Sequence, residues 1–242
     1  MKMNPDTAAR LDTIVETFIE KRKFAPAADD LLALLKQEPG NAVIRYYLGI
    51  CHSNLRDRTR ALDHLSAIQE SPDLSLIQQI QVHMLLGWLQ CEGREYQEAE
   101  KHFKAALKIN PQSSMAFSAL GYVYYLLKKY DLAILNFKKA IEEDPNNSGA
   151  HNNLGFTFAE IGINVNDAIN ECRKAIAFNP DSAAYRDSLG WCYFVAGQYD
   201  ASVKELKKAL DLAPGRNEII TDHLNKAMQK LEFEKRKKAR RE

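Results

Sequence analysis

Six histidines, four cysteines and 32 acidic residues are the side chains of this 242-residue chain that could serve as acids, bases, nucleophiles or metal ligands. Their spacing does not support that work. His52, His64, His83, His102, His151 and His223 are scattered along the chain, with no HExxH pair and no His/Cys/carboxylate cluster, and they read as surface or half-buried side chains. Cys51, Cys91, Cys172 and Cys192 form no CxxC and no metal-ligand spacing, so they read as reduced thiols rather than a disulfide framework. A glycine-rich phosphate loop and a GxSxG nucleophile turn are both absent. The expectation is a chain that is no enzyme, with no cofactor, no metal site and no small-molecule substrate. One charge cluster stands out near the end: Lys235, Arg236, Lys237, Lys238, Arg240 and Arg241. Cations are favoured at a helix C-terminus, which accounts for it without a partner. A contact of Lys235–Arg241 with nucleic acid or an anionic membrane is a further reading, though no aromatic residue interleaves with the cluster to stack on bases.

The elements that must position any site are helices with a period. From Ser114 to Asn147 the chain reads SMAFSALGYVYYLLKKYDLAILNFKKAIEEDPNN. Two runs of helical periodicity, SMAFSALGYVYYLL and DLAILNFKKAI, flank a KKY turn and end at DPNN. The same skeleton recurs after 34 residues: Leu86-Gly87, Leu120-Gly121 and Leu154-Gly155 lead it, followed by an aromatic, two small residues and a proline. Six copies can be laid out, over 8–41, 42–79, 80–113, 114–147, 148–182 and 183–216. Copy three carries Tyr96, Ala99, Phe103, Ala106 and Pro111; copy four Tyr124, Tyr130, Ala133, Phe137, Ala140 and Pro145; copy five Phe158, Ala168, Ala175 and Pro180; copy six Leu189-Gly190, Tyr193, Tyr199, Ser202, Leu206, Ala209 and Pro214. Glycine and the two small slots permit close helix contact, aromatics fill the gaps, and proline ends each hairpin. The first copy is weaker, with Val15 in the glycine slot and Leu34 in a small slot, and a looser hairpin is expected there. The second has Leu48-Gly49, Ala61, Ile68 and Pro72, and its joint SPDLSLIQQ is long, so the next helix is expected to start near Asp73. Copy five has one extra residue in the turn GINVND. A last helix over 217–233, with Ile220, Leu224, Met228 and Leu231 in one stripe, should cap copy six, and a basic tail follows over 234–242.

This skeleton resembles the tetratricopeptide repeat (TPR) family over residues 8–216. The resemblance implies an all-α, right-handed α-α superhelix: a solenoid of six helix-turn-helix repeats plus a C-terminal capping helix. It also implies a non-catalytic protein–protein interaction scaffold or adaptor. In the family the first helix of each hairpin lines a concave face, with repeat positions 2, 5, 9, 12 and 13 directed into it. Position 9 in copies three to six then reads Trp88, Tyr122, Phe156 and Trp191, and position 12 adds Tyr125 and Phe194. Exposed aromatic patches seldom persist without a partner, and Trp and Tyr are favoured interface anchors. Position 12 aromatics are common in the family and also fit a core role. The remaining groove positions carry Glu92, Glu160 and Asp187, with Asn152 at position 5 of copy five, and Asp12, Glu16 and Glu20 in the first copy. Lysines collect on the second helices, among them Lys101, Lys104, Lys138, Lys174 and Lys208, as a solvated outer face.

An aromatic, acidic trough favours a protein partner whose apolar segment has basic flanks, held as a helix or an extended peptide. The family's carboxylate clamp for acidic chaperone tails needs lysine at position 5 and asparagine at position 9, and neither is present; Asn153 alone makes no asparagine ladder. The alternative use of the same surface is structural, as packing in a homo- or hetero-oligomer, with self-association as its sign. A formal charge of +1 with 45% hydrophobic and 27% charged residues reads as a soluble globular chain. The start, MKMNPDTAARLDTIVETFIEKRKF, has charges every few residues and no apolar signal core, which with the thiols leads to an expected cytoplasmic location.

Overall fold

A computed structural model describes residues 4–215 and 217–240. Arg216, the last residue of copy six, and Arg241, the last cation of the basic cluster, lie outside the described residues. Among those described, every regular element is a helix: α1 (Pro5–Ile14), a π-helical segment (Val15–Ile19), α2 (Phe24–Gln37), α3 (Ala42–Asn54), α4 (Arg58–Ser66), α5 (Leu76–Glu92), α6 (Tyr96–Ile109), α7 (Ser114–Leu126), α8 (Tyr130–Glu143), α9 (Ser148–Ile161), α10 (Val165–Phe178), α11 (Ala183–Val195), α12 (Tyr199–Leu212) and α13 (Glu218–Ala239). They group into two compact units, Met1–Ala116 and Phe117–Glu242. No helix among the described residues is long and apolar enough to cross a membrane.

The start of each leading helix is written in the residues after the repeat proline. Asn41, Ser75, Asn147, Ser182 and Asn217 each place a side-chain oxygen on a backbone N–H of the first helical turn, satisfying a donor that the helix itself leaves unpaired. Ser75 and Gln78 form a reciprocal capping box, so α5 begins at Leu76 and not near Asp73. The extra residue of copy five is absorbed in its turn, where Gly162 and Asn164 both take left-handed conformations, at φ +70° and +47°.

Within each hairpin the glycine slot is a point of closest approach. A Cβ placed on Gly49, Gly87, Gly121 or Gly190 would come within 2.4–2.7 Å of Leu65, Phe103, Phe137 or Leu206 on the following helix. On Gly155 it would meet the Ala168 carbonyl oxygen and Cys172 Sγ, both at 2.7 Å. The small slots Ala99, Ala106, Ala133, Ala140, Ala168, Ala175, Ser202 and Ala209 are fully buried, and Ser202 Oγ donates to the Gly190 carbonyl at 2.7 Å. Tyr124, Phe158 and Tyr193 are buried as gap fillers.

Two further features differ from the sequence expectation. At Val15, in the slot glycine fills later, the first helix widens into the π-helical segment, with the Glu20 N–H donating to the Val15 carbonyl at 3.0 Å. Leu31 and Leu34 are fully buried against that hairpin. The capping helix runs on to Ala239 instead of stopping at 233, because the basic cluster is itself made of good helix formers and Glu232 pairs with Arg236 one turn on. Its apolar stripe is buried only at Ile220 and Leu224, with Ala227 beside them; Met228 is exposed and Leu231 half-buried.

Candidate partner-binding face

In the second unit the candidate side chains come from three successive leading helices. α7 carries Tyr122 and Tyr125, α9 carries Asn152, Phe156 and Glu160, and α11 carries Asp187, Trp191 and Phe194. Spacing by four residues sets Asn152, Phe156 and Glu160 one above another on α9, and Asp187 and Trp191 likewise on α11. Contacts then join the helices. The Tyr125 ring meets Phe156 edge-on, with centroids 6.0 Å apart. Burial, then the charge of Glu160 and the neighbouring Tyr130 and Tyr122 hydroxyls, pushes the Tyr125 phenol up to about 12. The Trp191 indole N–H donates to Glu160 Oε1 at 2.8 Å, and the Trp191 ring stacks on Phe194 at 4.9 Å. Tyr122, Tyr125, Phe156, Trp191 and Phe194 are all half-buried, and Glu160 is exposed. Asn152 is 8% exposed, and its Oδ1 accepts no hydrogen bond among the described residues.

Trp88 and Glu92 lie in the first unit, four residues apart on α5. Trp88 is 41% exposed and sets its ring edge-on to Phe103, 5.3 Å between centroids, so the same phenylalanine that fills the glycine slot also props the indole. Glu92 is exposed.

Asp187 has a different place from the one its repeat position suggested. It is 9% exposed, and its Oδ1 accepts from His223 Nδ1 of α13 at 2.9 Å, so one carboxylate oxygen is engaged within the protein. His223 also stacks on Trp191 at 4.4 Å, and Lys226 Nζ lies 5.7 Å from the same ring. The capping helix thereby closes one end of the aromatic row. His223 and Lys226 are absent from the apolar stripe that marks α13 in the sequence. The one available signal was that Asp187 and His223 stand 36 residues apart, close to one repeat. Several basic residues of the second helices are paired along their own helices: Lys101–Glu98, Lys104–Glu100, Lys174–Glu171 and Lys208–Glu205. Among the described residues no group of three or more His, Cys, Asp or Glu is placed to hold a metal ion.

Comparison with known families agrees with this architecture. Models described as "Tetratricopeptide repeat" match residues 80–113 and, separately, 14–75 and 164–217, and one described as "TPR repeat" matches 121–162. The chain belongs to the tetratricopeptide repeat family, whose fold serves protein–protein interaction and is generally non-catalytic. A mouse (Mus musculus) protein described as "BBSome complex member BBS4" is 32% identical over 216 residues, covering 88% of this chain. This chain spans 40% of that relative's length. Among solved structures, a thermophilic TPR protein of Thermus thermophilus superposes with a TM-score of 0.63 at 19% identity, covering 78% of this chain and all of that one. YrrB, described as a TPR protein with an unusual peptide-binding site, gives 0.57 at 20% identity, covering 82% and 99%. The APC/C hetero-tetramer Cut9–Hcn1 gives 0.71 at 12% identity, covering 92% of this chain and 46% of that one. At these identities the likeness is one of fold.

Proposed function

We propose that this chain is an adaptor that holds a segment of a partner protein against the aromatic face of its second unit. The observation that carries the reading is the contact between consecutive repeats: Tyr125 against Phe156, and Glu160 joined to Trp191, itself stacked on Phe194. Side chains that touch across repeats offer one continuous surface to an extended or helical ligand. Tyr122, Tyr125 and Phe156 are the anchors, and Glu160 pairs a basic residue flanking the partner's apolar segment. Asn152 supplies an acceptor for a backbone or side-chain donor. Trp88 and Glu92 form a separate apolar and acidic patch on the first unit. The chain works in the cytoplasm.

The test is capture of partner proteins from a native lysate by the full chain and by the Tyr122→Ala/Phe156→Ala double variant. Each anchor is worth about 2 kcal/mol at an interface hot spot, so the double variant should lose capture while its helical circular dichroism is unchanged. Retention of the same proteins at the same yield refutes the reading. A second reading makes the chain a packed subunit of an assembly; it is favoured by the mouse relative, which is described as a member of a complex. Light scattering across a concentration series separates the two, since an adaptor stays monomeric and a packing subunit does not.

A further inference from the structure

Repeat positions 4 and 23 face each other across a hairpin, and they are filled differently from copy to copy. In copies five and six, within the second unit, each pair sets a nitrogen base against a glutamate. His151 meets Glu171 at 2.5 Å and Arg186 meets Glu205 at 2.9 Å, each carboxylate also held by a lysine, Lys174 or Lys208. In the third copy, within the first unit, the same two positions hold His83 on α5 and His102 on α6. Their Nδ1 atoms are 3.1 Å apart and their ring centroids 5.4 Å apart. The centroids are farther apart than the nitrogens by about one ring diameter, so the two nitrogens point at each other. One Nδ1 must donate and the other accept.

We propose that the His83–His102 pair is an acid-released latch between α5 and α6, closed while the two rings share one proton at Nδ1 and opened when both rings are charged. A single added proton, on the far nitrogen of the donor ring, leaves the Nδ1–H···Nδ1 bond intact. A second must go to the accepting Nδ1, which sets N–H against N–H and places two positive rings in contact. The surrounding charges do not absorb this. Glu70 lies near His83; around His102 the carboxylate Glu98 is itself bonded to Lys101 at 2.6 Å. Burial lowers both imidazoles below the ordinary 6.5, and for His102 the neighbouring His83 lowers it further. The unfolded chain therefore takes up protons first: stability from the latch is present above about pH 6.5 and is lost as the pH falls below it. His52 and His64 of the second copy add to the effect. They are stacked at 5.5 Å, with both His52 nitrogens and His64 Nδ1 buried and without a hydrogen bond among the described residues, His52 Nδ1 lying 3.9 Å from Asp57 Oδ2. Burial lowers both, reinforced at His64 by His52, Arg45 and Arg60 and at His52 by Arg60, with Asp57 opposing it at His52 and Asp63 at His64.

The corresponding carboxylates of the second unit keep their pairs over that range. Burial pushes the carboxyls of Glu171 and Glu205 up, but Lys174 with His151, and Lys208 with Arg186, more than offset it, and both end below the ordinary 4.5. Those pairs hold until the pH falls below that value. Mild acid thus loosens the hairpins of copies two and three while α9–α12 keep theirs.

Hydrogen exchange of the full chain, resolved by peptide and corrected for intrinsic exchange, tests this at pH 7.5 and 5.5. The α5 and α6 amides should lose protection about tenfold at the lower pH, with α9–α12 unchanged. His102→Glu installs the chemistry of His151–Glu171 and should keep α5 and α6 protected at pH 5.5. His102→Gln, which leaves one titratable ring and a hydrogen-bonding partner, should do the same if the glutamate variant does not fold. Full protection of α5 and α6 in the wild-type chain at pH 5.5, or an equal loss in the His102 variants, overturns the proposal.

Discussion

Replacing Gly87 with alanine sets two rules of helix formation against each other. Alanine is the better helix former by about 1 kcal/mol, so α5 alone would be stabilised. The packing gives the opposite sign. The added methyl would lie 2.5 Å from Phe103 Cε1, 2.7 Å from Cζ and 2.9 Å from Cδ1, and Phe103 is fully buried with no open side to turn into. Overpacking of this kind costs about 1–3 kcal/mol, so the net change should be destabilising. Phe103→Ala removes the obstacle and leaves a cavity, at a cost of about 3–5 kcal/mol. In the double variant the new methyl enters that cavity, the clash is gone and the propensity gain returns. The pair should therefore be less destabilised than the two single changes added together, by about 1–2 kcal/mol. Equilibrium urea unfolding followed by circular dichroism measures the cycle, and Trp88 fluorescence, from the indole that rests on Phe103, reports the same hairpin. Additivity within about 0.5 kcal/mol, or a stabilising Gly87→Ala, would refute the close-approach argument.

Two further changes probe the polar contacts. Glu205→Ala leaves Arg186, whose side chain is only 18% exposed, without its carboxylate. It should cost about 1–3 kcal/mol in urea unfolding at pH 7, and progressively less as the pH falls below 4.5 and the wild-type carboxylate takes up its proton. Ser75→Ala removes the capping box of α5 and should cost about 1 kcal/mol, with faster hydrogen exchange confined to the amides of 76–79.

Much of the fold was legible because its determinants are local or strictly periodic. Leu-Gly pairs, small slots and closing prolines name the helices, and the asparagine or serine after each proline states where a leading helix starts. The misjudged places are those where a local competitor acts. Ser75 with Gln78 moved the start of α5, Val15 widened the first helix, and a continuous run of helix formers carried α13 through the basic cluster. The candidate face was legible in its residue types and less so in its availability. Phe156 and Glu160 line up from spacing alone, whereas Asp187 could be seen as engaged only once α13 was placed beside it.

From its letters alone the chain declares a tandem of helical hairpins and the aromatic positions they repeat, since a helix period and a residue size are properties of neighbours in sequence. Which of those side chains remain for a partner, and which are spent inside, depended on packing. His83 finds His102, Arg186 finds Glu205 and Trp191 finds Glu160 and His223 across 19 to 32 residues. No short-range pattern encodes such pairings. They exist because close-packed helices bring their flanks within hydrogen-bond reach, and a charge or ring brought there must take the neighbour that packing supplies.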